Sequence, residues 1–116
     1  MVSQRIQKVN ELIKRELSQI LLREADFSKD ILVTLTRVDT APNLSQSKIY
    51  ISVFPVGQIE RTIEFLNRRV YDFQQRLNKR LRMRPMPKII FVREKQTAEA
   101  GRVEEILEEV KKQENR

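Results

Sequence analysis

The chain is 116 residues long, 40% hydrophobic and 34% charged, with 23 Lys and Arg against 16 Asp and Glu and a formal net charge of +7. That length supports one domain with a single modest core. The absence of Cys excludes a disulfide framework, the absence of His removes the usual neutral-pH proton carrier, and no apolar run approaches the roughly 18–20 residues that cross a bilayer.

Ser3 to Arg23 reads as an amphipathic helix, because Ile6, Val9, Ile13, Leu17 and Ile20 step by three or four and fall on one face. Leu12 and Leu21 widen that stripe, and Glu11 and Arg15 form an i,i+4 pair on the wet side. Met1 to Glu24 mixes charge throughout and has no apolar h-region, so it is not a signal peptide and the expected location is the cytoplasm. After a polar break over Asp26–Asp30, Ile31 to Thr40 is rich in β-branched residues and predicts a strand. Ala41-Pro42-Asn43 marks a turn. Lys48 to Phe54 alternates, with Ile49, Ile51 and Val53 on one face and Tyr50, Ser52 and Phe54 on the other, so the two strands make an antiparallel hairpin.

Gln58 to Met83 is the longest predicted element. Ile59, Ile63, Leu66, Val70, Phe73, Leu77 and Leu81 keep a helical period with no phase break, which predicts one continuous helix. Arg84-Pro85-Met86-Pro87 must stop it, since a residue before proline avoids the α region. Lys88 to Arg93 predicts a third strand, and Glu99 to Lys112 a last amphipathic helix on Val103, Ile106, Leu107 and Val110, leaving 113–116 as a frayed tail. The order is α-β-β-α-β-α. A helix between the second and third strands implies a parallel, right-handed crossover. The expectation is a two-layer α+β domain over residues 1–112, with helices on one face of a mixed sheet.

Positive charge is concentrated late in the chain. Residues 61–93 hold ten Lys or Arg (Arg61, Arg68, Arg69, Arg76, Lys79, Arg80, Arg82, Arg84, Lys88 and Arg93) against Glu64 and Asp72 alone. That surplus of eight exceeds the charge of the whole chain, and such a concentration creates a local potential suited to a polyanion. Glu64–Arg68 and Asp72–Arg76 are i,i+4 pairs, which leaves eight cations without a helical counter-ion. On a helical wheel Arg61, Arg68 and Lys79 face open water. Arg69, Arg76 and Arg80 form a row flanking the apolar stripe, expected along the seam between helix and sheet. Arginine outnumbers lysine eight to two in this stretch, as suits bidentate contact with phosphates.

The aromatics point mostly to the core. Phe65, Phe73 and Phe91 belong to apolar stripes, whereas Tyr50, Phe54 and Tyr71 are candidate stacking platforms, with Tyr71 the best placed among its arginines. Enzymatic constellations are missing. Gly57 and Gly101 stand alone, so there is no glycine-rich phosphate loop and no GxxG clamp. The serines have no histidine to activate them, and Glu104, Glu105, Glu108 and Glu109 mark a solvated helix face. No cofactor or metal is expected.

Several segments resemble bacterial ribosome-binding factor A. Arg5-Ile6-Gln7-Lys8-Val9 and Ile13-Lys14-Arg15-Glu16-Leu17 are similar to the family's first helix. Val33 to Val38, Asn43-Leu44 and Ser47-Lys48-Ile49-Tyr50-Ile51-Ser52-Val53 are similar to its hairpin. Leu81-Arg82-Met83-Arg84 with Pro87 and Phe91, and Arg102 to Leu107, match its later elements. The resemblance implies a type II KH-like fold and a non-enzymatic role in late assembly of the 30S subunit. There, such factors bind the immature particle and assist maturation of 16S rRNA near its 5′ end. Its rRNA-facing surface falls on Arg76, Lys79, Arg80, Arg82 and Arg84, with Arg5 and Lys8 as helpers; Arg69 and Lys88 join them from the charge pattern. The partners expected are 16S rRNA and the immature 30S subunit, bound by a monomer with no membrane and no small-molecule substrate. A DNA-binding module and a basic protein–protein adaptor are the rival readings.

Two positions depart from the family. Asn43 stands where the turn usually has Asp, keeping a side-chain acceptor but losing charge. The family bends its long helix at a small-residue Ala-x-Gly, where this chain has Arg69-Val70-Tyr71. The residue pattern predicts a straight helix, the resemblance a bend near Val70, and a bend with such bulky residues requires a local 3₁₀ or π adjustment.

Overall fold

Two hydrophobic periods, near 3.6 in the helices and near 2 in the strands, meet on one face of a small sheet. The computed structural model describes residues 3–24, 27 and 29–95. The expected helix over Glu99–Lys112 and tail 113–116 lie outside the described residues. The elements are α1 (Gln4–Glu24), β1 (Leu32–Thr40), β2 (Gln46–Phe54), a 3₁₀ turn (Val56–Gln58), α2 (Ile59–Arg68), α3 (Val70–Arg80) and β3 (Lys88–Arg93).

Ser3 starts α1, its Oγ accepting from the Ile6 amide at 3.2 Å, as an N-cap does. β1 and β2 pair antiparallel from Leu32↔Phe54 to Thr40↔Ser47, with a bulge between Leu35 and Arg37. The bulge lets Leu35 and Val38, an odd number of residues apart, both face the core. In the turn, the Asn43 side-chain oxygen accepts from the Ser45 amide at 3.1 Å, so the Asx-type role expected of Asn43 is realised. β3 lies parallel to β2, from Gln46↔Lys88 to Ile51↔Arg93, and the strand order is β1-β2-β3.

Ile13, Leu17 and Ile20 of α1, Leu66 of α2, and Phe73 and Leu77 of α3 close over Ile49, Ile51 and Phe91 of the sheet. Phe73 and Phe91 meet edge to face, with ring centroids 5.7 Å apart. Full burial of such side chains contributes about 1.5–3 kcal/mol each.

The predicted continuous helix is two helices. Arg69 leaves the helical region (φ −103°, ψ 14°), and its amide donates to Leu66 O at 3.2 Å before Phe73 N–H resumes the α pattern onto Arg69 O. This is the 3₁₀ adjustment that a bend without a small residue requires. Continuity therefore fails, and the interruption implied by the resemblance is present. The helix also ends at Arg80 rather than Met83: Leu81 is extended (φ −115°, ψ 107°) yet buried, so it fills the core without belonging to the helix.

The outer edge of β3 is covered by side chains. Asn67 exchanges two hydrogen bonds with the backbone of Phe91, at 2.9 and 3.0 Å. Gln74 accepts from Ile89 N–H at 2.8 Å and donates to Pro87 O at 3.2 Å. Groups that an edge strand would leave open are thereby satisfied.

Candidate nucleic-acid interface

α3 divides its side chains among four directions. Phe73 and Leu77 enter the core. Gln74 and Asn78, bonded to each other at 3.0 Å, turn to β3. Arg76 and Arg80 turn to α1, while Tyr71, Gln75 and Lys79 are exposed. In the row of Arg69, Arg76 and Arg80, the latter two therefore lie along the seam between α1 and α3, not between helix and sheet as expected, while Arg69 sits at the α2–α3 junction. The sheet-facing side is occupied by the amides.

Each arginine of that row meets a carboxylate. Arg69 and Arg76, both half-buried, stand 3.4 Å from Asp72. The Arg69 guanidinium also lies 5.5 Å and 5.2 Å from the ring centroids of Phe65 and Phe73. Arg80 reaches across to α1, 3.2 Å from Glu16 and 3.1 Å from the Gln19 side-chain oxygen, with only 29% of its side chain exposed. A half-open groove of about 320 Å³ runs along this seam, lined by Ile20, Asp72, Gln75, Arg76, Lys79 and Arg80. The Asp72–Arg76 pair expected from the i,i+4 spacing forms, whereas the expectation that Arg69 and Arg80 stand without counter-ions is corrected: Asp72 reaches Arg69 as well, and α1 brings Glu16 to Arg80.

The segment after α3 behaves differently. Leu81 and Pro87 are buried at its two ends, Met83 and Met86 pack partly against the core, and Arg82 and Arg84 between them are exposed. With Leu81 extended and buried and Met83 packed partly against the core, the intervening Arg82 points outward. Arg82, Arg84, Lys88 and Lys79 have no carboxylate within salt-bridge distance among the described residues.

Arg5 and Lys8 belong to the same end of the molecule. Asn10, within about a turn and a half of both, accepts from the Thr40 amide at 3.0 Å, and Lys88 N–H donates to Ser45 O at 3.2 Å. The N-terminal half of α1, the β1–β2 turn and the start of β3 thus converge. Arg5 and Lys8 are exposed there, also without a carboxylate partner among the described residues. Lys48, absent from the sequence-based selection, is exposed on the open face of the sheet, two residues along β2 from the partner of Lys88. Strand alternation is the signal that would have placed it.

Of the three candidate stacking platforms, Tyr71 is open, at 75% exposure. Tyr50 is covered by the Arg37 guanidinium, 3.7 Å from its ring centroid, and Phe54 is half-buried. Arg37 is itself tied to Glu94, Nε to Oε2 at 3.0 Å, and Thr36 Oγ1 donates to the same oxygen at 2.6 Å. Burial pushes the Glu94 carboxyl up, but hydrogen bonds from Arg37 and Thr36 and the Arg37 charge outweigh it and hold the group below its ordinary value. The bond to Glu94 raises Arg37 further above its usual value. Among the described residues no helix is long and apolar enough to cross a membrane.

The family model described as Ribosome-binding factor A matches residues 5–107. A ribosome-binding factor A from Gloeobacter violaceus is 30% identical over 118 residues, covering 98% of this chain and 92% of its own. One from Carboxydothermus hydrogenoformans is 32% identical over 114 residues, covering 97% and 91%. Among solved structures, the crystal structure of ribosome-binding factor A from Thermus thermophilus superposes with a TM-score of 0.67 at 22% identity, covering 76% of this chain and 94% of that one. A homology model of the Thermus thermophilus factor, as fitted into the cryo-EM map of its 30S complex, gives 0.61 at 24% identity, with 72% and 88% covered. These likenesses show the KH-like fold.

Proposed function

Because the chain belongs to the ribosome-binding factor A family, we propose that it is a non-catalytic, cytoplasmic factor that binds the immature 30S subunit as a monomer and assists maturation of 16S rRNA. The observation that carries this reading is the set of exposed cations at one end of the fold: Lys79, Arg82, Arg84 and Lys88, joined by Arg5 and Lys8, without carboxylate partners among the described residues. The display of Arg82 and Arg84 on a segment pinned at Leu81 and Pro87, beside cations from α1, α3 and β3, fits folded RNA, where phosphate spacing and shape matter more than base edges. Arg76 and Arg80 border this surface and shape its frame through their ion pairs; Arg69, held by Asp72, and Tyr71, which offers a face to an unpaired base, extend the proposed contact along α3.

The test is binding of a 16S 5′-domain RNA against duplex DNA at matched salt, together with sedimentation of the tagged protein across a ribosome gradient. Preference for the RNA, co-migration with free 30S particles, and a log K against log salt slope of about −0.7 to −0.9 per phosphate contact are expected. Equal or stronger binding to duplex DNA would favour a DNA-binding module. Complexes from a lysate that survive RNase would favour a protein adaptor.

A further inference from the structure

We propose that Gln74 is a positioning residue for this interface: its amide fixes the backbone on both sides of Lys88 and thereby sets where the Arg82–Lys88 segment stands against α3. The inference rests on the RNA-binding reading above.

Parallel pairing turns the Lys88 amide toward β2, where it donates to Ser45 O at 3.2 Å. The flanking groups, Pro87 C=O and Ile89 N–H, therefore point to the outer edge. Gln74 serves both, accepting from Ile89 N–H at 2.8 Å and donating to Pro87 O at 3.2 Å, while its second N–H reaches Asn78 Oδ1 at 3.0 Å. With its oxygen and both amide hydrogens engaged, the side chain holds one orientation. Lys88 is thus held from β2 on one side and from α3 on the other, although its own side chain is exposed and takes no part. Asn67 supplies a built-in control. It makes the same kind of two-bond contact to Phe91 on the same edge, but about 10 Å along the strand from Lys88 and away from the Arg82–Lys88 segment.

The experiment compares Gln74→Met, which keeps length and removes every amide bond, with Asn67→Leu, in wild-type and Lys88→Ala backgrounds. Each is titrated with the 16S 5′-domain RNA across a salt series, and amide exchange is followed at Ile89 and Phe91. Q74M is expected to lose protection at Ile89, to bind about tenfold more weakly and to have a salt slope shallower by roughly one phosphate contact. In the K88A background the same change is expected to add little, because the two act through one group. N67L is expected to lose protection at Phe91 while affinity and slope stay at wild-type values. Q74M binding at the wild-type slope, additivity with K88A, or an equal loss in N67L would overturn the positioning role and leave the RNA-binding reading intact. Absence of salt-dependent binding by the wild-type protein would overturn both. If Q74M fails to fold, Gln74→Glu replaces it: the acceptor for Ile89 remains, the bonds to Pro87 and Asn78 go, and an intermediate slope is expected, with an unchanged slope overturning the role.

Discussion

Arg76 and Arg80 on α3 and Arg82 and Arg84 just beyond it are the same residue type within nine positions of sequence, yet they occupy opposite electrostatic situations. On the helix, Asp72 lies one turn from Arg76, and α1 packs close enough for Glu16 to meet Arg80. Past Arg80 the chain leaves the helix, Leu81 is buried and Met83 packs partly against the core, and no acid stands beside Arg82 and Arg84 among the described residues. Charge density along the chain is therefore a poor guide to charge available at the surface. Regular structure recruits counter-ions at i±3 and i±4, whereas a short pinned segment of alternating apolar and basic residues displays its charge.

The largest expected effect comes from reversing charge in the displayed pair. Arg82→Glu with Arg84→Glu is expected to weaken 16S 5′-domain binding on the order of 100-fold and to flatten the salt slope by about two phosphate contacts. The melting temperature should move by no more than about 2 °C, because exposed positions away from ion pairs tolerate substitution. Filter binding across a salt series and a thermal melt check this; full retention of binding would break the contrast outright.

Arg80→Glu is expected to behave in the reverse sense. It places a carboxylate against Glu16 and removes the bond to Gln19, so it should cost about 1–2 kcal/mol of stability. The folded protein should lose far less RNA affinity than the Arg82/Arg84 variant. The charge-swapped Arg80→Glu, Glu16→Arg protein is expected to regain most of that stability in urea unfolding. A single variant that unfolds normally but fails to bind would return Arg80 to the interface proper.

Much of the fold is legible from period alone. The boundaries of β3 coincide with the predicted Lys88–Arg93, and α1 is displaced by a single residue. The interruption at Arg69 is not legible, because one 3₁₀ turn leaves Leu66, Val70 and Phe73 near a common face and the apolar phase survives. The end of α3 is hidden for a related reason: Leu81 is buried whether its backbone is helical or extended. In the candidate site the cations are legible and their partners are not. Glu16 lies 64 residues from Arg80, and only folding brings the two together. Gln74 and Asn67 give no sign of their role, since polar residues on a helix ordinarily face water.

Tyr71 separates stacking from charge on the exposed side of α3. Tyr71→Ala is expected to reduce RNA affinity about fivefold to tenfold through loss of base stacking, with the salt slope unchanged. Tyr71→Phe should retain wild-type affinity, because the ring rather than the hydroxyl makes the contact. A shallower slope in the alanine variant would mean that Tyr71 instead positions a neighbouring cation.

The smallest effect concerns the Arg37–Glu94 pair on the open face of the sheet. The folded-state pKa of Glu94 lies below the unfolded value, so the native state binds fewer protons there. The pair's contribution is therefore complete above the ordinary carboxylate range and fades as pH falls through the depressed value. With half of the Arg37 side chain exposed, screening limits it to about 0.5 kcal/mol. Glu94→Gln should cost that amount at pH 7 and progressively less as pH falls below the ordinary carboxylate range, as paired urea melts would show; a difference that does not shrink with falling pH would mean hydrogen bonding, not charge, holds the contact. The same variant releases Arg37 from its carboxylate. Arg37 lies on the open face of the sheet, paired with Tyr50 and so four residues along β2 from the partner of Lys88. RNA affinity at pH 7 is therefore expected to stay unchanged. A rise in affinity would mean that any arginine freed of its acid joins the interface, and that position on the pinned segment is not what distinguishes Arg82 and Arg84.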